Sequence, residues 1–556
     1  MLQLIAILFF SFFLFIGCSS SNSSESKSAS VVGDIKDKIS WYADMTDDVL
    51  VMDLSVPDPN EYLCAPYTNP TGVLRACTLE DVLNDTDSND AYEPLLHIKM
   101  QADDFIPSSE QMNASFEQKG KTTRNADQKS FRVKLDSTDV LYKKERTFQL
   151  NKHPYDDSRV RNKLAFDLFR NIPNFTSLKT QFVNLRINGV DYGLYTHIEK
   201  MGKEFLINRG WNEDDNLYKA QNFAFRMVDE LKLNSSGKPI DQEAFDSVIE
   251  VERGKDHTKL VAMLNAIDAA QTDAEFEAVF NRYFNRNNYI TWMAINLVMA
   301  NKDTVSQNFY LFNPLNSDTF YFMPWDYDGT GRETFKYAKW ELGIATWWGI
   351  PLHQKFLRVK KNRDDVDAMV TTLRNQYVTP AAIQARLDVY EPLITPYLSV
   401  DPDANDLSTR QWRTEFDILI PRLDENIANY RGEIGVPMPF WQSFEYNGGV
   451  LKLMWDEAVD FEGDEIIYDV QCADNVDFNN SIVSETGLSV AAGDLNITSW
   501  GEVSYTTTVP MSTGVKYYMK ITAREKNNPA HYQIAFDKEV EINDVNYFGL
   551  LEFELE

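Results

Sequence analysis

The sequence contains few cysteines and histidines, and none of them forms a zinc-binding pattern. Its 556 residues include four Cys and six His, with no Cys-x-x-Cys pair. Because structural zinc sites need several such ligands at short spacing, a zinc ribbon is not supported. The chain also lacks a Gly-x-Gly-x-x-Gly loop, so a glycine-rich loop of the usual kinase type is not expected.

Basic residues are scarce relative to acidic ones. The chain has 54 Lys and Arg against 84 Asp and Glu, which gives a formal net charge of −30. So acidic a chain repels a phosphate backbone, and a nucleic-acid partner is therefore not expected. A local basic pocket could still hold a small polyanion. The length predicts two or three domains, and 43% hydrophobic residues indicate a globular protein.

The N-terminus contains the one long apolar run, "LIAILFFSFFLFIGC", which ends at Cys18. The run is short for a membrane span and typical of a signal peptide, although no Lys or Arg precedes it. "FIGC" resembles a bacterial lipobox, which predicts that residues 1–18 are a lipoprotein signal and that Cys18 is lipidated. A Ser-rich tether is expected over 19–40. We therefore expect an envelope protein that is anchored to a membrane and faces outside the cytoplasm.

The other three cysteines have no metal-binding context. Cys64 and Cys77 could close a short loop, which an oxidising compartment permits. Cys472 lies in a strand-like run and is interpreted as a buried core thiol.

The order of predicted elements indicates an α+β chain. Residues 41–90 read as a loop-rich extension, and 91–434 form a domain that is first β-rich and then helical. In "KSFRVKLDS", Phe131, Val133 and Leu135 alternate with Arg132 and Lys134, as in a half-buried strand. "NNYITWMAINLVMA" is apolar nearly all round, which predicts a buried helix. A β-rich part followed by a helical part is the layout of two-lobed protein-kinase-like folds.

The last part of the chain is predicted to be all-β. Residues 435–440 read as a linker, and 441–556 show short alternating strands such as "GVLKLMWDEA" and "GVKYYMKITAREK". This pattern resembles a fibronectin type III sandwich, with Trp455 and Tyr517 or Tyr518 in its core. Spacing or adhesion is the role expected of such a domain.

Two acid-bearing clusters flank the strand-like run between residues 309 and 324. Asp303 and Asn308 have the Asp-x-x-x-x-Asn spacing of a kinase catalytic loop, in which the Asp is the base and the Asn binds metal. "MPWDYDG" then places Asp326 and Asp328 directly after an apolar strand. Oxygen ligands of this kind suit Mg²⁺ or Mn²⁺. An Asx turn is the structural alternative for the second cluster, and a calcium loop would need a further acid and a later glutamate that are missing.

Several motifs in this order resemble the CotH kinase family of atypical kinases. The matching runs are "FEQKGKTTR", "KSFRVKL", "RTFQLNKHPYDDSRVRNKLAFDLFRNI", "FVNLRINGVDYGLYTHIEK", "NKDTVSQNFYLF" and "MPWDYDGTG". The resemblance implies a kinase-like fold and Mg²⁺-dependent phosphate transfer from ATP to a protein hydroxyl. It also implies that Asp303 is the catalytic base and that Asn308, Asp326 and Asp328 hold the metal.

The resemblance further assigns six residues to the nucleotide. Gly120 with Thr123 and Arg124 would form the turn over the phosphates, and Lys134 would contact them; ordinary strand and surface roles are the alternatives. The six are Lys134, Gly120, Thr123, Arg124, Arg161 and Glu199. Two departures are Lys119-Gly120, where the family commonly has Arg-Gly, and Asn301-Lys302-Asp303-Thr304, which lacks the family's aromatic neighbour.

Three functions follow as hypotheses. The first is an exported, lipid-anchored protein kinase that acts on Ser or Thr hydroxyls of a surface or envelope protein. The second is a binding or adhesion protein on a kinase-like scaffold, which has no reason to keep Asp303, Asn308 and Asp326 together. The third is a structural calcium protein, which would respond to calcium and not to ATP.

Overall fold

The N-terminal part of the chain folds into a closed, seven-stranded barrel. The computed structural model describes residues 33–88, 91–331, 338–341, 343–406, 412–498, 501–536, 540–542 and 545–555. The elements of the barrel unit (residues 49–199) are β1 (Val49–Ser55), β2 (Leu63–Cys64), β3 (Arg75–Ala76), α1 (Leu79–Leu83), β4 (Leu96–Ala102), β5 (Ala114–Lys119), β6 (Ser130–Leu135), β7 (Thr147–Asn151), α2 (Arg161–Phe169), β8 (Thr180–Ile187) and β9 (Val190–Glu199).

The barrel closes in the order β1-β4-β5-β6-β7-β9-β8. Every pair is antiparallel except β1 with β8. Alternate residues fill the interior: Phe131, Val133 and Leu135 of β6 are buried there, as the sequence alternation predicts. The stretch predicted to be loop-rich contributes β1, because Met52 and Leu54 are fully buried in the same core.

The middle of the chain is mainly helical and contains a second, smaller sheet. The elements of this helical unit (residues 200–434) are α3 (Lys203–Asn208), β10 (Asn216–Ala220), α4 (Gln242–Val248), β11 (Ile249–Arg253), α5 (Thr258–Ala269), α6 (Asp273–Tyr283), α7 (Arg286–Met299), β12 (Phe309–Asn313), β13 (Tyr321–Pro324), α8 (Pro351–Arg358), α9 (Lys360–Thr372), α10 (Pro380–Leu398), α11 (Asp403–Asp406) and α12 (Trp412–Ile434). The sheet order is β11-β10-β12-β13.

Helix α7 lies at the centre of the helical unit. All of its residues from Asn288 to Met299 are buried, which confirms the prediction from its apolar sequence. Asn285 caps its start by accepting a hydrogen bond from the Asn288 amide, and Ala300 ends it in the left-handed region at φ +49°. This ending turns the chain sharply toward the predicted catalytic loop. None of the helices in the described part of the chain is long and apolar enough to cross a membrane.

The C-terminal unit (residues 441–555) consists of antiparallel strands. They are β14 (Gln442–Asn447), β15 (Val450–Asp456), β16 (Ile466–Ala473), β17 (Val483–Leu488), β18 (Asn496–Ile497), β19 (Glu502–Thr508), β20 (Lys516–Glu525), β21 (Tyr532–Ile534), β22 (Val540–Ile542), β23 (Val545–Tyr547) and β24 (Leu550–Glu554). One sheet has the order β14-β15-β19-β18, and the other has β17-β16-β20-β21 with β24 beside β20. The two sheets share one core, in which Trp455 and Tyr517 are buried.

Two further features bear on the predictions from sequence. Cys64 and Cys77 are joined by a disulfide, and Cys472 is a free, buried thiol. Residues 33–40, which we assigned to the tether, pack onto the helical unit: Ile35 is buried, and Tyr321 donates a hydrogen bond of 2.6 Å to the Gly33 carbonyl. Cys18 lies outside the described residues.

Candidate active site

The acidic loop follows β13 directly and is anchored by its central tyrosine. The Tyr327 ring is fully buried and packs edge-on against Phe166 and Phe169 of α2, with centroid distances of 5.9 and 4.8 Å. Its backbone amide donates to Asn162 Oδ1 at 3.3 Å. The flanking Asp326 and Asp328 remain half-buried. The apolar contacts of Tyr327 therefore hold both carboxylates next to each other at the end of the strand.

Asp326 sits in an environment that disfavours its negative charge. Burial, together with the charges of the neighbouring Asp328 and Asp303, raises the pKa of Asp326 to about 6, while Lys119 and His153 act in the opposite direction. Its backbone has φ +57°, a left-handed conformation that is uncommon outside glycine. A left-handed backbone and crowded carboxylates therefore occur together at Asp326.

Asp303 approaches this cluster from the turn after α7. It lies in a short 3-10 helix over Lys302–Val305, where Thr304 is buried and Asp303 is exposed. Asn308, five residues later, is half-buried and also left-handed, with φ +55°, at the entrance to β12. Asp303 is close enough to contribute to the raised pKa of Asp326. The structure therefore brings Asp303 and the two acids of the loop to one place.

The lysine nearest to the acids is Lys119, at the end of β5. Its ammonium donates hydrogen bonds to Gln149 and to Asn151 Oδ1, the latter at 2.9 Å, and lies 5.5 Å from the Trp325 ring centroid. Burial lowers the pKa of Lys119 to about 7, while the charge of Asp326 opposes this shift. Lys119 is thus a half-buried lysine near two aspartates. The sequence analysis noted Lys119 only as a departure from the family pattern.

Lys134 lies on the same outer face of the barrel but farther from the acids. Lys119 is opposite Ser130 in β6, whereas Lys134 is opposite Ser115 of β5. The four residue steps from Ser130 to Lys134 correspond to roughly 13 Å along the strand. Lys134 is also exposed.

Gly120, Thr123 and Arg124 form one compact turn after Lys119. Gly120 has φ +93°, and a side-chain carbon at this position would lie 2.1 Å from Thr123 Oγ1. Thr123 donates to the Lys119 carbonyl at 3.3 Å, and Arg124 Nε donates to the Gly120 carbonyl at 2.8 Å. The Arg124 guanidinium is buried in an ion pair with Asp85. The structure thus places this turn beside Lys119, with the arginine bracing it from inside.

Arg161 and Glu199 are buried in other ion pairs. Arg161 pairs with Asp156 and with Glu415 of α12. Glu199 accepts two hydrogen bonds from Arg209, at 3.0 and 2.9 Å. Both brace the units around the acidic cluster.

A family model described as "CotH kinase protein" matches residues 116–431, which is more than half of the chain. The chain belongs to the CotH kinase protein family. The match begins in β5 and ends in α12, so it contains Lys119, Asp303 and the acidic loop. Cys18 and the C-terminal unit lie outside it.

One relative illustrates the distance within the CotH family. Inner spore coat protein H of Bacillus subtilis (strain 168) is 23% identical over 239 residues, which cover 42% of this chain and 64% of that protein. The chain therefore matches less than two thirds of the relative's length.

Charged side chains of both the barrel unit and the helical unit lie near the CotH site. From the barrel, Arg132 of β6 pairs with Glu117 at 2.8 Å. From the helical unit, Glu250 and Glu252 of β11 contribute to the raised pKa of Arg132. Lys219 of β10 acts electrostatically on Lys119 in turn. Charged side chains of both units thus line the space next to the acidic loop.

The donor set of this CotH chain fits magnesium better than a softer metal. Among the residues that the structure describes, no group of three His, Cys, Asp or Glu side chains is arranged to hold a metal ion. Mg²⁺ is commonly held by one or two carboxylates with water and substrate phosphates, rather than by a full protein cage. Asp326 and Asp328 meet that requirement, because their crowded charges are the ones that a divalent cation would neutralise.

His153 is a site neighbour that the sequence analysis did not single out. Its Nδ1 lies 3.2 Å from Asp328 Oδ2. Neither His153 nor Lys119 stands out by residue type, and both are placed by the pairing of β5, β6 and β7. The motif "NKHPYDDSR" around His153 is the signal that could have drawn attention to it.

Proposed function

We propose that this chain is a CotH-type protein kinase that transfers phosphate from Mg-ATP to a hydroxyl of a protein substrate. The observation that carries the proposal is the convergence of Asp303, Asp326 and Asp328 with the half-buried Lys119. Phosphoryl transfer requires charge neutralisation and a group that orients the acceptor hydroxyl, and little covalent chemistry from the protein. The gathered side chains are of the types that these tasks need.

Each residue has a role that follows from its position. Asp303, which is exposed, would accept the proton of the acceptor hydroxyl. Asp326 and Asp328, with the amide oxygen of Asn308, would hold Mg²⁺, which neutralises the phosphate oxygens when bound. Lys119 would contact the phosphates in place of the expected Lys134, because Lys119 is half-buried beside the acids and Lys134 is exposed. Gly120 and Thr123 would shape the turn over the nucleotide.

We further propose that the protein works outside the cytoplasm, anchored through Cys18, with the C-terminal unit as a fibronectin type III-like spacer or adhesion module. The Cys64–Cys77 disulfide supports an exported location, because such bonds persist in oxidising compartments. The two facing antiparallel sheets support the sandwich interpretation.

Nucleotide binding and phosphate transfer test the proposal together. The full chain, incubated with Mg²⁺ and ATP labelled on the γ-phosphate, is expected to label itself or a supplied protein. Asp303→Ala should lose at least a hundredfold in rate while it keeps the thermal shift given by Mg-ATP, since it removes the base and not the ligands. Asp326→Ala should lose both. A wild type with neither shift nor label transfer would instead favour the scaffold hypothesis, and a shift with calcium alone would favour the calcium protein.

The same binding assay separates the two lysines. Lys119→Ala is expected to weaken Mg-ATP binding by at least tenfold, because it removes a charged donor from a half-buried position beside the acids. Lys134→Ala, on the same barrel face but exposed, is the matched control and should bind like wild type. Equal losses in the two variants would contradict the assignment of Lys119.

A further inference from the structure

His153 is a buried histidine whose ring forms a hydrogen bond to Asp328, the second acid of the site. It lies just after β7, only 3% exposed, and its Nδ1 is 3.2 Å from Asp328 Oδ2. A carboxylate can only accept a hydrogen bond, so Nδ1 carries the proton and donates it. The other nitrogen, Nε2, is buried and has no hydrogen-bond partner in the described part of the chain. The bond to Asp328 is therefore the one hydrogen bond of this imidazole among those residues.

The backbone under His153 is clamped from several directions. Its φ is +53°, in the left-handed region. Its carbonyl accepts from the Asp156 amide at 3.0 Å and from the Arg159 guanidinium. The preceding Lys152 forms an ion pair of 2.7 Å with Asp403 of α11, and both side chains are fully buried. Such a clamped residue cannot follow a moving carboxylate, so the carboxylate must adapt to the histidine.

The hydrogen bonds of His153 differ from those of two other buried histidines. His353 bonds through both ring nitrogens, to the Tyr289 hydroxyl at 2.7 Å and the Val305 carbonyl at 3.1 Å, whereas neither ring nitrogen of His197 has a hydrogen-bond partner among the described residues. The His153 ring makes one hydrogen bond among these residues, and its acceptor is an acid of the candidate site. A left-handed backbone at a histidine is also an uncommon conformation that the surrounding contacts must maintain. These features are typical of a residue that orients a functional group.

We propose that His153 is a positioning residue that fixes the Asp328 carboxylate, so that Asp328 acts with Asp326 on the divalent cation. This inference rests on the proposed kinase function. It decides between the two interpretations of Asp328, since a simple turn-capping aspartate has no need of a buried histidine. Partners that orient metal ligands usually change metal affinity or activity by about 10- to 100-fold when removed.

The test measures binding of Mn²⁺ directly, without turnover. The full chain with ADP is titrated with Mn²⁺, and free Mn²⁺ is followed by electron paramagnetic resonance. His153→Gln is expected to raise the Kd for Mn²⁺ by about 10- to 100-fold, because its amide reaches the ε position and not the δ position. His153→Asn places an NH₂ donor where Nδ1 stands and tolerates the left-handed backbone, so it should stay within about threefold of wild type.

The control is His257→Gln, in another buried histidine of the same chain, whose ring bonds to the Tyr218 hydroxyl at 2.9 Å away from the acids. It should bind Mn²⁺ like wild type. Thermal unfolding without metal checks that each variant is folded. Equal Mn²⁺ affinity of the Gln and Asn variants at position 153 would overturn the inference. If the wild type still binds Mn²⁺ in that experiment, the proposed function is unaffected. A wild type that binds no Mn²⁺ in the presence of ADP would overturn both.

Discussion

At the residue scale, the site brings together ionisable side chains whose charged forms the folded protein disfavours. Burial and the neighbouring Asp328 raise the pKa of Asp326 to about 6, and burial lowers the pKa of Lys119 to about 7. Both shifts oppose the charged form of the side chain. A bound cation with its phosphates would supply the missing counter-charges to both. Perturbed pKa values of this kind are common at functional sites, which agrees with the proposed function.

The raised pKa of Asp326 predicts a pH-dependent cost of folding. The folded protein keeps this proton up to about pH 6, whereas the carboxyl of an unfolded chain loses it near its ordinary pKa of 3.8. The proton therefore stabilises the fold below pH 6, and this contribution is lost as the pH rises through 6. Between pH 5 and 8, the wild type should lose about 1 kcal/mol of stability relative to Asp326→Asn.

Urea unfolding of both proteins in EDTA at pH 5, 6, 7 and 8 measures this difference. Added Mg²⁺ and ADP should reverse its sign, since only the wild type offers a carboxylate to the cation. Parallel stability curves in EDTA would contradict the assigned burial and crowding of Asp326.

At the element scale, the segment between β7 and α2 connects the barrel to the acids. One end carries Asn151, which bonds to Lys119, and the next residues are Lys152 and His153. Helices α11 and α12 hold this segment through Asp403 and Glu415. The late helices of the family domain therefore contribute buried ion pairs to the segments around the site.

Loss of the Asp403 carboxylate should be costly. Asp403→Ala removes the carboxylate charge that pairs with the fully buried Lys152 ammonium. We expect a loss of about 3–5 kcal/mol in the free energy of unfolding. The control is Asp364→Ala, which breaks the exposed pair between Lys360 and Asp364 of α9 and should cost less than about 0.5 kcal/mol. Urea denaturation compares the two. Similar values for both variants would show that the Lys152–Asp403 pair does not support the fold.

At the scale of the whole molecule, the C-terminal unit is packed against the segment that follows the acidic loop. Phe536 lies 5.6 Å from the Trp340 ring and 5.0 Å from the Trp441 ring, between centroids. Lys339 pairs with Glu433 of α12 at 3.2 Å, and the Gln533 amide approaches the same carboxylate at 3.5 Å. The C-terminal unit therefore contacts both Trp340 and helix α12 of the helical unit.

Phe536 should couple the unfolding of the C-terminal unit to that of the rest. Phe536→Ala removes the buried ring from this contact, and we expect a loss of about 2–4 kcal/mol and a separation of one thermal transition into two. Phe444→Ala is the control, because its ring stacks on Phe553 within the C-terminal unit. It should lower stability without uncoupling the units. Scanning calorimetry distinguishes the outcomes, and two transitions already in the wild type would argue against coupling.

Periodicity and spacing predicted much of the fold. The alternation at Phe131, Val133 and Leu135 and the apolar surface of α7 were both read correctly, because side-chain burial follows local period in strands and helices. The contribution of β1 to the barrel was missed, since its parallel pairing with the distant β8 leaves no local signal. The roles of Asp303, Asn308, Asp326 and Asp328 stay predictions that the geometry supports.

The sequence alone could not rank the cations of the site. Lys119 and Lys134 lie on the same face of the barrel, and only the register of β5 against β6 sets which one is near the acids. Arg161 looked equally suited to a phosphate, but its burial between Asp156 and Glu415 uses its charge inside the protein. Pairings across hundreds of residues decide such questions, and a single sequence does not record them.

By itself, the sequence determined the order of the elements, the family and the acids of the site, because strand period, helix period and short acid spacings are local properties. Only the tertiary structure decided that Lys119 meets these acids, that Arg161 and Glu199 are internal braces, and that His153 addresses Asp328. The reason is that the burial of a charge and the partner it finds depend on which distant segments fold against it.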